Sequence, residues 1–215
     1  MNLTSHRLLL IIALLLVSGG CKSTYYKTWE QLGWEKRDIL SDRVKDARDS
    51  QTAAKEQFKT TLQRFQEVTQ FKGGDLEAQY NKLSKEYERA VSRADTVREQ
   101  VDSVEAVASD MFKEWKAELK EYNNAELRRS SEEKLDDTQQ RYDQFIAAMH
   151  RAEQRMDPVL VVFKDQVLYL KHNLNAAAIA SLQATTAGVE ADVSQLIAEM
   201  EASIAEANEF MKQIK

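Results

Sequence analysis

The sequence predicts an all-α protein: an elongated antiparallel bundle of about four long helices, coiled-coil-like, behind an N-terminal targeting segment. Three observations carry that expectation. Apolar residues recur at steps of three and four over four long stretches, the period of a helix with one buried face. Backbone breakers are scarce, with one Pro and six Gly in 215 residues. Hydrophobic residues make up 43% of the chain and charged residues 30%, which supplies both a core and solvated outer faces.

The N-terminus reads as an address. Residues 1–7 are short and polar with one Arg, residues 8–17 are ten uninterrupted apolar residues, and Ser18-Gly19-Gly20-Cys21 follows. That is the n-region, h-region and small-residue cleavage site of a secretory signal. The apolar run falls short of the about 20 residues needed to span a bilayer. Cys directly after two Gly resembles the lipobox of bacterial lipoproteins, although Ser18 stands where Leu is usual. The resemblance implies cleavage before Cys21 and acylation of that residue, so that several acyl chains hold the protein on a membrane. Lys22, rather than Asp, follows the Cys, which by the same resemblance implies the outer membrane. The competing reading is an ordinary secretory signal with an incidental Cys.

The expected organisation is therefore a signal peptide over 1–20, a lipidated linker over 21–35 and one helical-bundle domain over 36–215. The first helix is expected over 36–70, on Leu40, Val44, Ala47, Ala54, Phe58, Leu62, Phe65 and Val68. Gly73-Gly74 can take positive φ, after which Asp75 can cap the second helix. That helix, 75–122, has the clearest series: Leu76, Tyr80, Leu83, Tyr87, Ala90, Ala94, Val97, Val101, Val104, Ala108, Met111, Trp115, Leu119 and Tyr122. Asn123-Asn124 is read as its end, and Ser130 with Glu133 as a capping box that opens the third helix over 131–173.

The third helix carries Leu135, Tyr142, Phe145, Met149, Ala152, Met156, Val159, Phe163, Val167, Leu170 and Leu174. Asp157-Pro158 inside it looks like a cap with an N1 proline, a place for a kink or a restart. Val159-Leu160-Val161-Val162-Phe163 is apolar all round and is expected to be central. Asn173-Leu174-Asn175 is the weakest break, and a helix continuous through it stays open. The fourth helix, 175–214, carries Ile179, Leu182, Val189, Val193, Leu196, Met200, Ile204, Ala207, Met211 and Ile214. Short connections make neighbours antiparallel, hence an up-down-up-down bundle.

The formal charge is −5, and −6 once the leader and its Arg7 are gone. This balance argues against a nucleic-acid partner, which calls for a basic footprint, and against charge-driven adhesion to anionic lipid. One cysteine permits no intramolecular disulfide.

Four segments carry a resemblance over nearly all of the mature chain: Gly33-Trp34-Glu35-Lys36-Arg37-Asp38, Ala54-Lys55-Glu56-Gln57-Phe58, Gly73-Gly74-Asp75-Leu76-Glu77, and Tyr169-Leu170-Lys171-His172-Asn173-Leu174-Asn175-Ala176. With them the chain resembles an uncharacterised family of long-helical bacterial lipoproteins, catalogued only as a domain of unknown function. The resemblance implies the anchor and the helices, and it brings no activity, substrate or catalytic residues.

Catalytic, cofactor and metal sites are not expected. No G-x-x-x-x-G-K or G-x-G-x-x-G is present to bring backbone N–H groups onto phosphates. After maturation only His150 and His172 remain, 22 residues apart and in no E-x-x-H or H-x-x-x-H pair, so a bundle metal site lacks its ligands. No G-x-S-x-G occurs, and Glu77, Glu86, Glu88, Glu99 and Glu105 read as a solvated face.

Two features point to interaction. Tyr25, Tyr26, Trp29 and Trp34 stand close behind Cys21, where Tyr and Trp favour the headgroup level, or alternatively cap the open end of the bundle. Lys36-Arg37-Asp38 and Lys171-His172-Asn173-Leu174-Asn175 sit at turns and serve either docking or local capping. The reading is a non-enzymatic periplasmic lipoprotein, tethered to the outer membrane through Cys21, that acts as a structural, tethering or adaptor module for a protein partner. Homo-oligomers are compatible with it, and the alternative is a helical protein that binds or remodels membrane surfaces.

Overall fold

The computed structural model describes residues 36–214, and the expected signal peptide and lipidated linker lie outside them. About 91% of the described residues are helical. They form α1 (Lys36–Thr69), α2 (Leu76–Glu118), α3 (Ala125–His172) and α4 (Ala176–Gln213), with no strand among them.

The breaks are set by local chemistry. Gly73 and Gly74 take φ of +158° and +118°, and the latter lies where a side chain would be strained. Asp75 then caps α2 by accepting the Ala78 N–H at 2.9 Å. Asn175 caps α4 by accepting the Ala178 N–H at 3.0 Å, so Asn173–Asn175 is a true break. The expected Ser130/Glu133 capping box does not form. Asn124 captures the N–H groups of Glu126 and Leu127 first, so α3 opens at Ala125 and Ser130 lies inside it. Nor do the two Asn end α2, which stops at Glu118 and turns through 119–121.

Asp157-Pro158 does not restart α3, which runs 48 residues through the proline. Pro158 forfeits one backbone hydrogen bond. Across that point Asp157 holds Arg98 of α2 at 2.5 Å, and Val159 and Phe163 are buried just beyond it.

The helices pack in a ring in chain order, with α4 returning to α1. Polar links fix each direction as antiparallel. Along the α1–α4 seam they join Arg48 to Asn208, Lys55 to Glu201, Gln66 to Glu190 and Thr69 to Gln183. Lys36–Glu114 and Gln57–Glu86 do the same for α1–α2, and Arg98–Asp157 and Glu105–His150 for α2–α3. Between α3 and α4, Phe145 stacks on Phe210 with centroids 5.3 Å apart.

One core runs the length of the ring. It includes Phe58, Phe65, Val101, Phe145, Met149, Phe163, Leu196 and Met200, each at 0% exposure. Phe65 meets Phe163 edge-on at 6.5 Å across the centre, joining α1 to the diagonally placed α3. Expected core members Tyr122 and Leu174 are instead exposed, because both lie past the last turn of their helix. Val161 is also exposed, at 57%, while Val159, Leu160 and Phe163 around it are buried, so that apolar run is central on one face only.

Candidate functional site

The two ends of the bundle differ, and the turns singled out in the sequence divide between them. Lys36 opens α1 at one end, here the near end, beside Glu114 of α2 at 2.8 Å. The Gly73-Gly74 turn and the Lys171–Asn175 turn meet at the far end. Beside them Gln183 Nε2, two turns into α4, donates to Thr69 O at the end of α1 at 2.6 Å. Thus two of the four segments that carry the family resemblance converge, although about a hundred residues separate them in the chain.

The far end has an apolar surface. Leu168, Tyr169 and Leu174 are each 41–45% exposed, beside exposed Lys171 and His172 and the half-buried Phe71. Asn173 Nδ2 donates to Tyr169 O at 2.9 Å, which closes the α3 end and fixes where these side chains emerge. Rigid helices thus present a small mixed apolar and basic patch.

The near end is a two-helix prong. Lys36 is level with Glu114, and Phe210, one turn before the α4 end, lies against Tyr142 and Phe145. Residues beyond those levels, roughly 115–138, therefore have no described helix of α1 or α4 beside them. Leu119 and Leu135 are buried between the two arms, and Trp115 Nε1 donates to Ser131 Oγ at 2.8 Å across them. Residues 121–130 are all exposed, with Leu127 at 58%.

Midway along the α2–α3 seam His150 sits between two carboxylates. Its Nε2 is 3.0 Å from Glu105 Oε1 and its Nδ1 is 3.2 Å from Glu153 Oε2. Partial burial works to lower the His150 pKa, but hydrogen bonds to and the charges of Glu105 and Glu153 outweigh it and hold it above the ordinary 6.5. Burial also pushes the Tyr142 hydroxyl up, aided by the charges of Glu105 and Asp143. The sequence reading took Glu105 for solvated surface and saw no partner for His150. Glu153 at i+3 was visible in the chain, but Glu105 arrives from another helix. Among the described residues no cluster of His, Cys and carboxylates is arranged to hold a metal ion.

Cys21, Tyr25, Tyr26, Trp29 and Trp34 lie outside the described residues. Among the described helices none is long and apolar enough to cross a membrane. His172 is at the far turn, about 33 Å along α3 from His150 at the helical rise. Lys36-Arg37-Asp38 and Lys171–Asn175 stand at opposite ends and do not form one docking site.

A family described as a protein of unknown function, DUF2959, matches residues 25–214, and the chain belongs to that family. No curated protein and no solved structure matches the chain.

Proposed function

We propose that this DUF2959 member is a lipid-anchored lipoprotein of the bacterial envelope. In this reading lipid on Cys21 holds it to the outer membrane, and the far end engages a protein partner in the periplasm as a tether, spacer or adaptor. The observation that carries the reading is the polarity of the bundle. The described chain enters at one end, and the Gly73-Gly74 turn shares the other with the α3–α4 turn, where Leu168, Tyr169 and Leu174 are exposed. The longest helix, 48 residues, separates the ends by about 70 Å at 1.5 Å per residue. Such a rod transmits position rather than chemistry.

Two measurements test the two halves. Labelled palmitate is expected to enter the wild type and not Cys21→Ser; equal labelling removes the anchor. A photo-crosslinking residue at position 169 or 174 in intact cells is expected to trap a defined protein that the same probe at position 102, exposed at mid-rod, does not. Identical products at all three positions remove the far end as the docking surface. The rival is a membrane remodeller, and the charge of −5 weighs against it, since remodelling faces are rich in Lys and Arg. Salt-sensitive pelleting and tubulation of anionic vesicles by the chain without its leader would install it.

A further inference from the structure

We propose that the near-end prong is a second membrane contact, with Leu127 and Tyr122 at its tip seated in the headgroup layer of the lipid surface that holds the anchor. The inference rests on the anchored reading above. It adds a site on the bundle itself, formed where α2 turns into α3.

The prong follows from unequal helices. Helices α2 and α3 have 43 and 48 residues, against 38 for α4 and 34 among the described residues of α1. The excess all falls at the near end, because the far turns are short and in step. From Glu114, level with Lys36, the chain runs on to Tyr122, about 12 Å if it kept the helical rise. The tip therefore leads the bundle on the side from which the chain enters α1. Cys21 lies fifteen residues before Lys36, a linker of at most about 50 Å when extended. A chain held through Cys21 keeps this end toward the bilayer and the far turns away from it.

The chemistry of the tip fits a lipid interface. Leu127 is the most exposed large apolar side chain among the described residues, at 58%, and Tyr122 is 42% exposed beside it. An isolated Leu on a projecting turn can enter the acyl boundary, and a Tyr favours the headgroup level above it. Asn124 fixes both, since its side chain binds the N–H groups of Glu126 and Leu127 and starts the helix there. Lys120, Arg128 and Arg129 flank them among Glu121, Glu126, Glu132 and Glu133, three basic against four acidic residues over 119–133, so the contact rests on the apolar side chains rather than on net charge. Arg128 and Arg129 meet Glu132 and Glu133 at 3.0 and 3.8 Å, in exposed pairs that lipid phosphate can replace.

Two apolar side chains make a contact too small to hold the protein by itself. Its effect is orientation: an anchor at one point fixes distance, and a second contact fixes the angle of the rod. Because apolar insertion dominates, the contact is expected to depend little on salt.

The test uses the full mature chain on vesicles of phosphatidylcholine and phosphatidylglycerol that contain nitroxide-labelled lipid. With Cys21 acylated, Leu127→Cys or Leu174→Cys supplies the one free thiol for an environment-sensitive fluorophore. The probe at position 127 is expected to shift to the blue and be quenched at least about twofold more than the probe at 174. Equal or weaker quenching at 127 overturns the proposal. So does energy transfer between labelled copies without lipid, which would make the tip a self-association surface. A second arm holds a Cys21→Ser chain by an N-terminal histidine tag on nickel-chelating lipid, with the same two probes. Absence of palmitate from the wild type, with quenching at 127 intact in this arm, refutes the natural anchor and leaves the tip as a membrane contact. Palmitate labelling intact with no quenching at 127 refutes the tip alone.

Discussion

The two ends of the bundle are built from the same four helices and are finished in opposite ways. At the far end, both connections are short, each following helix has a side-chain cap, and Gln183 of α4 holds the last residue of α1 across 114 residues of sequence. At the near end, α2 and α3 run on past their neighbours, and the arms hold together through Leu119, Leu135 and the Trp115–Ser131 bond. Among the described residues a helix in the ring is supported on two sides, whereas an arm of the prong is supported on one. Local stability therefore declines toward the near end, while the far end shares the cooperativity of the main core.

The largest effect is expected where both ends depend on the same packing. Val101, at 0% exposure, lies in the shared core, and Val101→Asp buries an unpaired charge there. A loss of several kcal/mol is expected, enough to unfold a marginal domain. A melting curve like that of the wild type would mean that this seam is not closed.

A pair of truncations separates the ring from the prong. Leu170, at 0% exposure in the ring, is expected to cost about 2–5 kcal/mol of global stability as Leu170→Ala. Leu135, at 3% exposure in the prong, is expected as Leu135→Ala to raise hydrogen exchange over about 115–138 while leaving the global melting temperature nearly unchanged. If both variants lower the global transition alike, the prong is not an independent unit.

The caps give a smaller version of the same contrast. Asn175→Ala and Asn124→Ala each remove an N-cap worth about 1 kcal/mol. Chemical denaturation is expected to register the first. Exchange confined to the start of α3 is expected to register the second.

The smallest effect belongs to His150. Its folded pKa is raised, so its stabilisation is complete below the unfolded value of 6.5 and fades as pH rises through the folded value. His150 is 37% exposed, and solvent screening limits the effect to under about 1 kcal/mol. The wild type is expected to melt slightly lower at pH 8.5 than at pH 5.5, and His150→Gln to flatten that difference. An unchanged slope in the variant would assign the pH dependence to other groups.

The sequence was most informative where the cause was local. Expected spans of 36–70, 75–122 and 175–214 compare with α1, α2 and α4 as found, because period, glycine and caps act within about four residues. The third helix was read six residues short, since a Ser-x-x-Glu pattern competed with an Asn that reached the N–H groups first. Gln51, Thr61 and Ser203 lie on buried faces although they are polar. Apolar periodicity passes over such positions, and Gln51 and Ser203 find no hydrogen-bond partner among the described residues. Each such buried group costs about 1–3 kcal/mol. Val107 and Phe112 were missed for the converse reason: α2 has two neighbours, so its buried face is wider than one stripe.

The helical class, the Gly73-Gly74 break and the Asp75 cap were legible in the sequence, because all three are properties of neighbouring residues. Only the tertiary structure decided that the two distant turns share one end, that Glu105 clasps His150, and that Leu127 projects while Leu135 is covered. The physical reason is that these depend on how helices of unequal length align side by side. That alignment is set by contacts summed over the whole bundle, and no single stretch of sequence contains it.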